Sequence, residues 1–172
     1  LKITKNELST LFYSPIAWLI LIIFTFQSGM AYAEAWADAL RSQALGYTVY
    51  GATERLLLGW SGAISSMQEH LYLYIPLLTM GLMSQEYNRG SIKLLYSSPV
   101  TNKQIIFGKY LSMIIYALIL VAILFIYYAF TAFTIKAIDT PFVMTALLGI
   151  FLMICAYAAI GLFMSSLTSY QV

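Results

Sequence analysis

Residues 86–99 read EYNRGSIKLLYSSP, the one long polar and basic break in an otherwise apolar chain. Gly90 can adopt backbone conformations that other residues avoid, Ser91 is a favourable helix cap, and Pro99 ends any helix that begins there. These residues predict a short helix over residues 92–97. We call residues 86–99 the elbow segment, because apolar sequence leads into it and away from it.

The short helix predicted within the elbow segment has one apolar side. Ile92, Leu95 and Tyr96 share that side, because positions three and four apart are neighbours on a helix. Lys93 and Ser97 fall on the other side. An amphipathic helix of this kind is typical of the edge of a membrane.

A second helix is predicted to begin directly after the elbow segment. Residues 101–104 read TNKQ, which has the form of a capping box. In that motif the Thr hydroxyl and the Gln side chain satisfy each other's free backbone donors just before an apolar run. We therefore expect a long helix to start at about Asn102.

The composition excludes a soluble domain. Of the 172 residues, 61% are hydrophobic and only 9% are charged, and the mean hydropathy is +0.81. That leaves too few polar residues to coat a water-soluble surface. The only cysteine, Cys155, excludes a disulfide framework and a thiolate metal site within this sequence. We predict an all-α, polytopic membrane helix bundle.

Three apolar runs are long enough to cross a bilayer, which takes about 20 residues, and a fourth, the second in chain order, is shorter. The predicted spans cover residues 15–33, 67–85, 105–135 and 142–168. In the last of them, small residues at four-residue intervals predict a packing face that further helices are expected to cover: Gly161, Ser165 and Ser169.

The second predicted span has a difficulty of length. Only 15 uncharged residues separate His70 from Glu86, which is about 22 Å of helix against a hydrocarbon core of about 30 Å. Either residues 67–70 belong to the helix, or Pro76 and Gly81 bend it and the bilayer thins locally.

Two further segments carry helical stripes. Residues 1–14 have an apolar stripe with a basic opposite side, which predicts an interfacial helix on the inner leaflet. Residues 34–69 predict two amphipathic helices on the outer surface or between spans, either as a substrate lid or as a plain connection. Their stripes are Trp36, Leu40, Ala44 and Tyr47, and then Leu56, Trp60, Ile64 and Met67.

The distribution of basic residues predicts the orientation. The segments assigned to the inner side hold six Lys and Arg residues, Lys109 among them at headgroup depth, and the outer segments hold three. Because positive residues favour the cytoplasmic side, the N-terminus and the elbow segment are expected inside.

Residues 76–110 carry a series of short motifs: Pro76-Leu77-Leu78-Thr79-Met80, Glu86, Gly90-Ser91, Leu94-Leu95, Pro99-Val100 and the heptapeptide QIIFGKY at 104–110. This series resembles the permease subunits of type-two ABC exporters, most closely the bacterial gliding-motility and copper-processing branches. Two departures are Gly81, where that family often has Arg, and Gln85, which replaces the first Glu of a pair.

The resemblance implies a permease in the bacterial cytoplasmic membrane, working with an ABC ATPase subunit and a second permease subunit in a homo- or heterodimer. Such permeases usually have six spans, so the chain is expected to be truncated at its C-terminus. A cytoplasmic coupling helix would insert into a groove of the ATPase. The coupling residues implied are Glu86, Gly90, Ser91, Ile92, Leu94, Leu95 and Pro99.

The energy source is expected on the partner rather than on this chain. A phosphate-binding loop of the form GxxxxGK[ST] does not occur, because Gly108-Lys109 is followed by Tyr110 and lacks the upstream glycine. No cofactor and no nucleic-acid partner are expected.

Two other classes were weighed against a permease. An intramembrane enzyme needs ionisable groups within the bilayer, and the four predicted spans carry none at mid-depth. A membrane scaffold or assembly subunit stays open, and co-purification of an ATPase chain would separate it from a permease. The substrate cannot be read from the sequence.

Overall fold

The computed structural model describes residues 2–45, 51, 54–59, 62–88, 102–135 and 138–167. These ranges form five α-helices and one short π-helical segment, and none of them contains a strand. The all-α membrane bundle predicted from composition is confirmed. The helices are α1 (Lys2–Tyr13), α2 (Pro15–Ala44), α3 (Ala63–Asn88), α4 (Asn102–Thr134) and α5 (Thr140–Leu167), with the π-helical segment Glu54–Leu58 between α2 and α3.

Helix boundaries follow local sequence signals. α4 begins at Asn102, as the capping-box sequence predicts. The predicted N-terminal helix is α1, which ends before Ser14 and gives way to Pro15 as the first residue of α2. Proline is well placed there, because the first N–H groups of a helix have no intrahelical acceptor. Asp139 precedes α5 and its Oδ1 accepts a hydrogen bond from the backbone N–H of Phe142 at 3.4 Å.

Three helices are long and apolar enough to cross a membrane: residues 15–44, 103–134 and 140–167. They correspond to the first, third and fourth predicted spans.

α3, which contains the second predicted span, is not among the three, because its sequence is more polar. Its 26 residues correspond to about 39 Å of helix. The difficulty of length is thus removed by a helix that begins at Ala63 and includes residues 67–70.

The prediction of two separate amphipathic helices over residues 34–69 is wrong for the described residues. α2 continues to Ala44 and contains the first stripe, while Ile64 and Met67 belong to α3. The acidic and basic residues after position 33 do not end α2, because the alanine-rich sequence there has high helix propensity. The side chains of Asp38 and Arg41 are exposed on its surface, and a guanidinium nitrogen of Arg41 lies 3.6 Å from Asp38 Oδ1.

The long helices bury one narrow stripe and expose large apolar residues elsewhere. α5 buries residues at helical spacing: Val143, Leu147, Ile150, Ile154, Ala158 and Leu162. Outside that stripe, Leu152 and Phe163 are 58% and 62% exposed. A helix that is apolar on all sides is typical of a membrane span, where lipid replaces water.

The described residues divide into two compact units. Unit 1 lies within residues 1–20, 72–117 and 153–172, and unit 2 lies within residues 21–71 and 118–152. The C-terminal part of α3 and the N-terminal part of α4, which flank the elbow segment, both belong to unit 1. So does α1.

Candidate functional site

Most of the predicted coupling residues lie outside the described part of the chain, namely Gly90, Ser91, Ile92, Leu94, Leu95 and Pro99. Glu86 lies in the last turn of α3, which ends at Asn88, and α4 resumes at Asn102. The structure therefore describes the two helix ends that flank the elbow segment. The surroundings of these ends in unit 1 form the candidate site.

A buried ion pair joins α1 to the N-terminal part of α4. Lys109 Nζ donates a hydrogen bond to Glu7 Oε2 at 3.0 Å, and their side chains are 2% and 12% exposed. Lysine and glutamate are seldom buried this deeply unless they are paired, because removing a charge from water is costly. The pair therefore fixes α1 against α4 through a charge-assisted hydrogen bond.

Lys109 is expected at headgroup depth, which stays a prediction, and its side chain is buried in the fold. It lies on the buried stripe of α4 together with Ile105, Ser112, Met113 and Tyr116. The signal available in the sequence was this helical spacing, which places Lys109 on the same side as apolar neighbours. Nothing in the sequence indicated Glu7 as its partner.

A second contact between α1 and α4 involves aromatic rings. The Phe12 ring centroid lies 6.1 Å from that of Tyr116 and 5.9 Å from that of Trp18. The Trp18 indole N–H donates to the Phe12 carbonyl oxygen at 2.8 Å, and the Tyr116 hydroxyl donates to the Ala17 carbonyl oxygen at 2.9 Å. Together these contacts attach α1 and the start of α2 to α4.

The small residues of α5 contact α3 within the same chain. A Cβ atom at Gly161 would fall on the Thr79 hydroxyl, and the Ser165 hydroxyl donates to the Met80 carbonyl oxygen at 3.1 Å. Ser169 lies outside the described residues. The expectation that further helices cover this face is therefore wrong for Gly161 and Ser165, which α3 already covers.

Matched alanine substitutions on α5 test this close approach. Gly161→Ala should destabilise the protein by about 1–3 kcal/mol, because the added methyl group must push α3 away. Gly149 has no neighbouring atom within 4 Å of a Cβ position, so Gly149→Ala should be neutral or slightly stabilising. Thermal unfolding midpoints of the detergent-solubilised variants give the comparison. Equal midpoints for the two variants would contradict the packing of α5 on α3.

An apolar pocket of about 280 Å³ opens between α4 and α5. Its polar groups come from Lys109, Tyr110 and Ser166, and the Tyr110 hydroxyl donates to the Cys155 carbonyl oxygen at 3.3 Å. The pocket suits an apolar group. Its other lining residues are Ile106, Phe107, Ala159, Leu162 and Phe163.

Hydrogen bonds between α2 and α4 stabilise unit 2. The Tyr32 and Thr131 hydroxyl oxygens lie 2.7 Å apart, and the Ser28 hydroxyl donates to the Tyr127 hydroxyl at 3.4 Å. Such pairs are typical of helices that associate in a membrane. Sequence reasoning did not identify them, because the partners are 99 residues apart.

The fold defines a multi-pass, all-α membrane protein with membrane-length apolar helices. A family model described as "ABC-2 family transporter protein" matches residues 1–171. The chain therefore belongs to the ABC-2 transporter family. The match is to the family as a whole and supports neither the gliding-motility nor the copper-processing branch.

Among curated proteins, the chain is similar to "Uncharacterized protein YhcI" of Bacillus subtilis (strain 168). The two are 37% identical over 54 residues. That segment is 31% of this chain and 17% of the length of the relative. No solved structure matches the chain.

Proposed function

We propose that this chain moves a substrate across the bacterial cytoplasmic membrane as the permease subunit of an ABC exporter, driven by an ATPase on a separate chain. The observation that carries the proposal is the match to the ABC-2 family over residues 1–171. ABC ATPase subunits are the partners that this family implies. Residues 1–172 contain no phosphate-binding loop, and the proposal is that energy arrives by contact with the ATPase subunit.

The elbow segment is the proposed point of that contact. Ile92, Leu94, Leu95 and Pro99 supply the apolar surface that enters the ATPase groove, while Gly90 and Ser91 start the coupling helix and Glu86 ends the preceding span. Support comes from the helix ends that flank the segment, because both belong to the same compact unit as α1. A displacement of the elbow segment would act directly on that unit.

The proposed topology has four crossings, with α3 as the second. Support for α3 comes from its apolar exposed residues, Tyr72, Leu73, Leu77 and Met80, which are 46–64% exposed. Four crossings and the six-to-three distribution of basic residues support a cytoplasmic N-terminus and a cytoplasmic elbow segment. α1 then lies at the inner leaflet, and the exposed apolar faces meet lipid and a second permease subunit, identical or different.

Thiol labelling tests this orientation. In a Cys155→Ala background, single cysteines are introduced as Gln43→Cys, at the exposed end of α2, and as Ser97→Cys in the elbow segment. A membrane-impermeant maleimide applied to intact cells should label Gln43→Cys and leave Ser97→Cys unlabelled until the cells are opened. Labelling of Ser97→Cys in intact cells without labelling of Gln43→Cys would contradict the proposed orientation and indicate the opposite one.

Affinity purification tests the transport function against the scaffold alternative. The tagged chain, extracted from native membranes in mild detergent, should bring down an ATPase chain that carries a phosphate-binding loop, and the complex should hydrolyse ATP. Recovery of the intact permease at native membrane levels without such a chain would contradict the proposal and favour a scaffold.

A further inference from the structure

α1 is held on α4 at two points, and this attachment fixes its position. Glu7 bonds to Lys109, and Phe12 packs on Tyr116. Lys109 and Tyr116 are seven residues apart on one side of α4, a separation of about 10 Å along its axis. Two contacts this far apart prevent α1 from pivoting about either of them.

The backbone connection between α1 and α2 does not by itself fix the direction of α1. Ser14 lies between the two helices and outside both, and its backbone N–H donates to the Leu11 carbonyl oxygen at 3.1 Å. Because the helical hydrogen-bond ladder does not continue from α1 into α2, side-chain contacts set this direction. They are the contacts with α4 and the hydrogen bond from Trp18 to the Phe12 carbonyl oxygen.

We propose that Glu7 and Lys109 are positioning residues that hold α1 against residues 102–117 of α4, so that α1 and this part of α4 move as one body. We call this ion pair between Glu7 and Lys109 the latch. An ion pair suits this role, because it is directional at 3.0 Å and its burial protects it from screening by salt. α4 begins shortly after the elbow segment. A movement that an ATPase imposes on the elbow segment would therefore reach α4 and, through the latch, α1. This last step rests on the proposed function, whereas the latch itself does not.

Distance measurements between spin labels test the latch on the permease alone. In the Cys155→Ala background, nitroxides are attached through Ser9→Cys on α1 and Leu111→Cys on α4, both at exposed positions, and the protein is placed in lipid nanodiscs. Three forms are compared: the native pair, the neutral pair Glu7→Gln with Lys109→Met, and the single variant Glu7→Gln. Asp38→Asn, which breaks the exposed pair on α2, serves as the control.

The native and control proteins should show one narrow distance distribution. The neutral pair should broaden it, since the ion pair between α1 and α4 is lost while the helices stay folded. A native width in the neutral pair would overturn the latch. If the neutral pair fails to reach the membrane, the single variant Glu7→Gln decides, because a native width there also overturns it.

Adding nucleotide to the purified complex separates the latch from the proposed function. With ATP and vanadate, the native label distance should stay within its original distribution, whereas that of the neutral pair should shift. A shift in the native protein would overturn the claim that α1 and α4 move together. If no ATPase chain co-purifies with the native protein, the proposed function fails, and the measurement on the permease alone still decides the latch.

Discussion

Replacement of Glu7 by Gln is expected to lower the free energy of unfolding by about 1–3 kcal/mol, because it removes the charged acceptor of a hydrogen bond to a buried ammonium group. The Lys109 side chain is only 2% exposed, so water cannot take over the role of Glu7. Replacing both members, as Glu7→Gln with Lys109→Met, should recover most of the loss, since neutral groups carry no desolvation penalty of this size. Thermal unfolding midpoints in detergent provide the measurement.

The exposed pair of Asp38 and Arg41 is the matched control for this prediction. Their side chains are 64% and 79% exposed and lie 3.6 Å apart. Exposed pairs contribute little to stability, because water and salt screen them. Asp38→Asn should therefore leave the midpoint unchanged, and an equal loss in Glu7→Gln and Asp38→Asn would contradict the buried environment of Lys109.

Local signals in the sequence predict local structure well here. The start of α4 at Asn102 follows from a four-residue capping motif, and the all-α membrane class follows from a hydrophobic content of 61%. Both depend on neighbours in the chain or on bulk composition. The span predicted over residues 15–33 follows the run of uncharged residues, whereas the helix that contains it continues through charged, alanine-rich sequence to Ala44.

Contacts between distant residues could not be predicted in this way. Glu7 and Lys109 are separated by 102 positions, and no spacing rule connects two charges on different helices. The spacing of Gly161 and Ser165 did predict a face that another helix approaches closely. That the helix is α3, through Thr79 and Met80, is visible only in the folded chain.

The elbow segment is expected to give the largest effect on partner binding. If Ile92 and Leu95 are buried in an ATPase groove, each contributes about 1.5–3 kcal/mol, and a carboxylate placed there adds a desolvation penalty. Because about 1.4 kcal/mol is a factor of ten, Ile92→Asp with Leu95→Asp should weaken association well over tenfold. The membrane level should not change, since the four proposed spans are untouched.

The opposite side of the predicted elbow helix supplies the matched control. Lys93→Asp with Ser97→Asp also adds two carboxylates to the same helix, away from the proposed contact surface, and makes the helix more negative still because it removes the Lys93 ammonium group. Association of the ATPase chain should survive this change far better than the change at Ile92 and Leu95. Equal losses in the two variants would point to general repulsion by negative charge.

The direct test is the ratio of ATPase chain to permease recovered from native membranes, measured for the native chain and for both double variants, with ATP hydrolysis of each complex. The account predicts that the ratio and the hydrolysis fall together in Ile92→Asp with Leu95→Asp, while the Lys93→Asp with Ser97→Asp control keeps most of both. A native ratio and native hydrolysis in the Ile92→Asp and Leu95→Asp protein would contradict the assignment of the elbow segment as the coupling element.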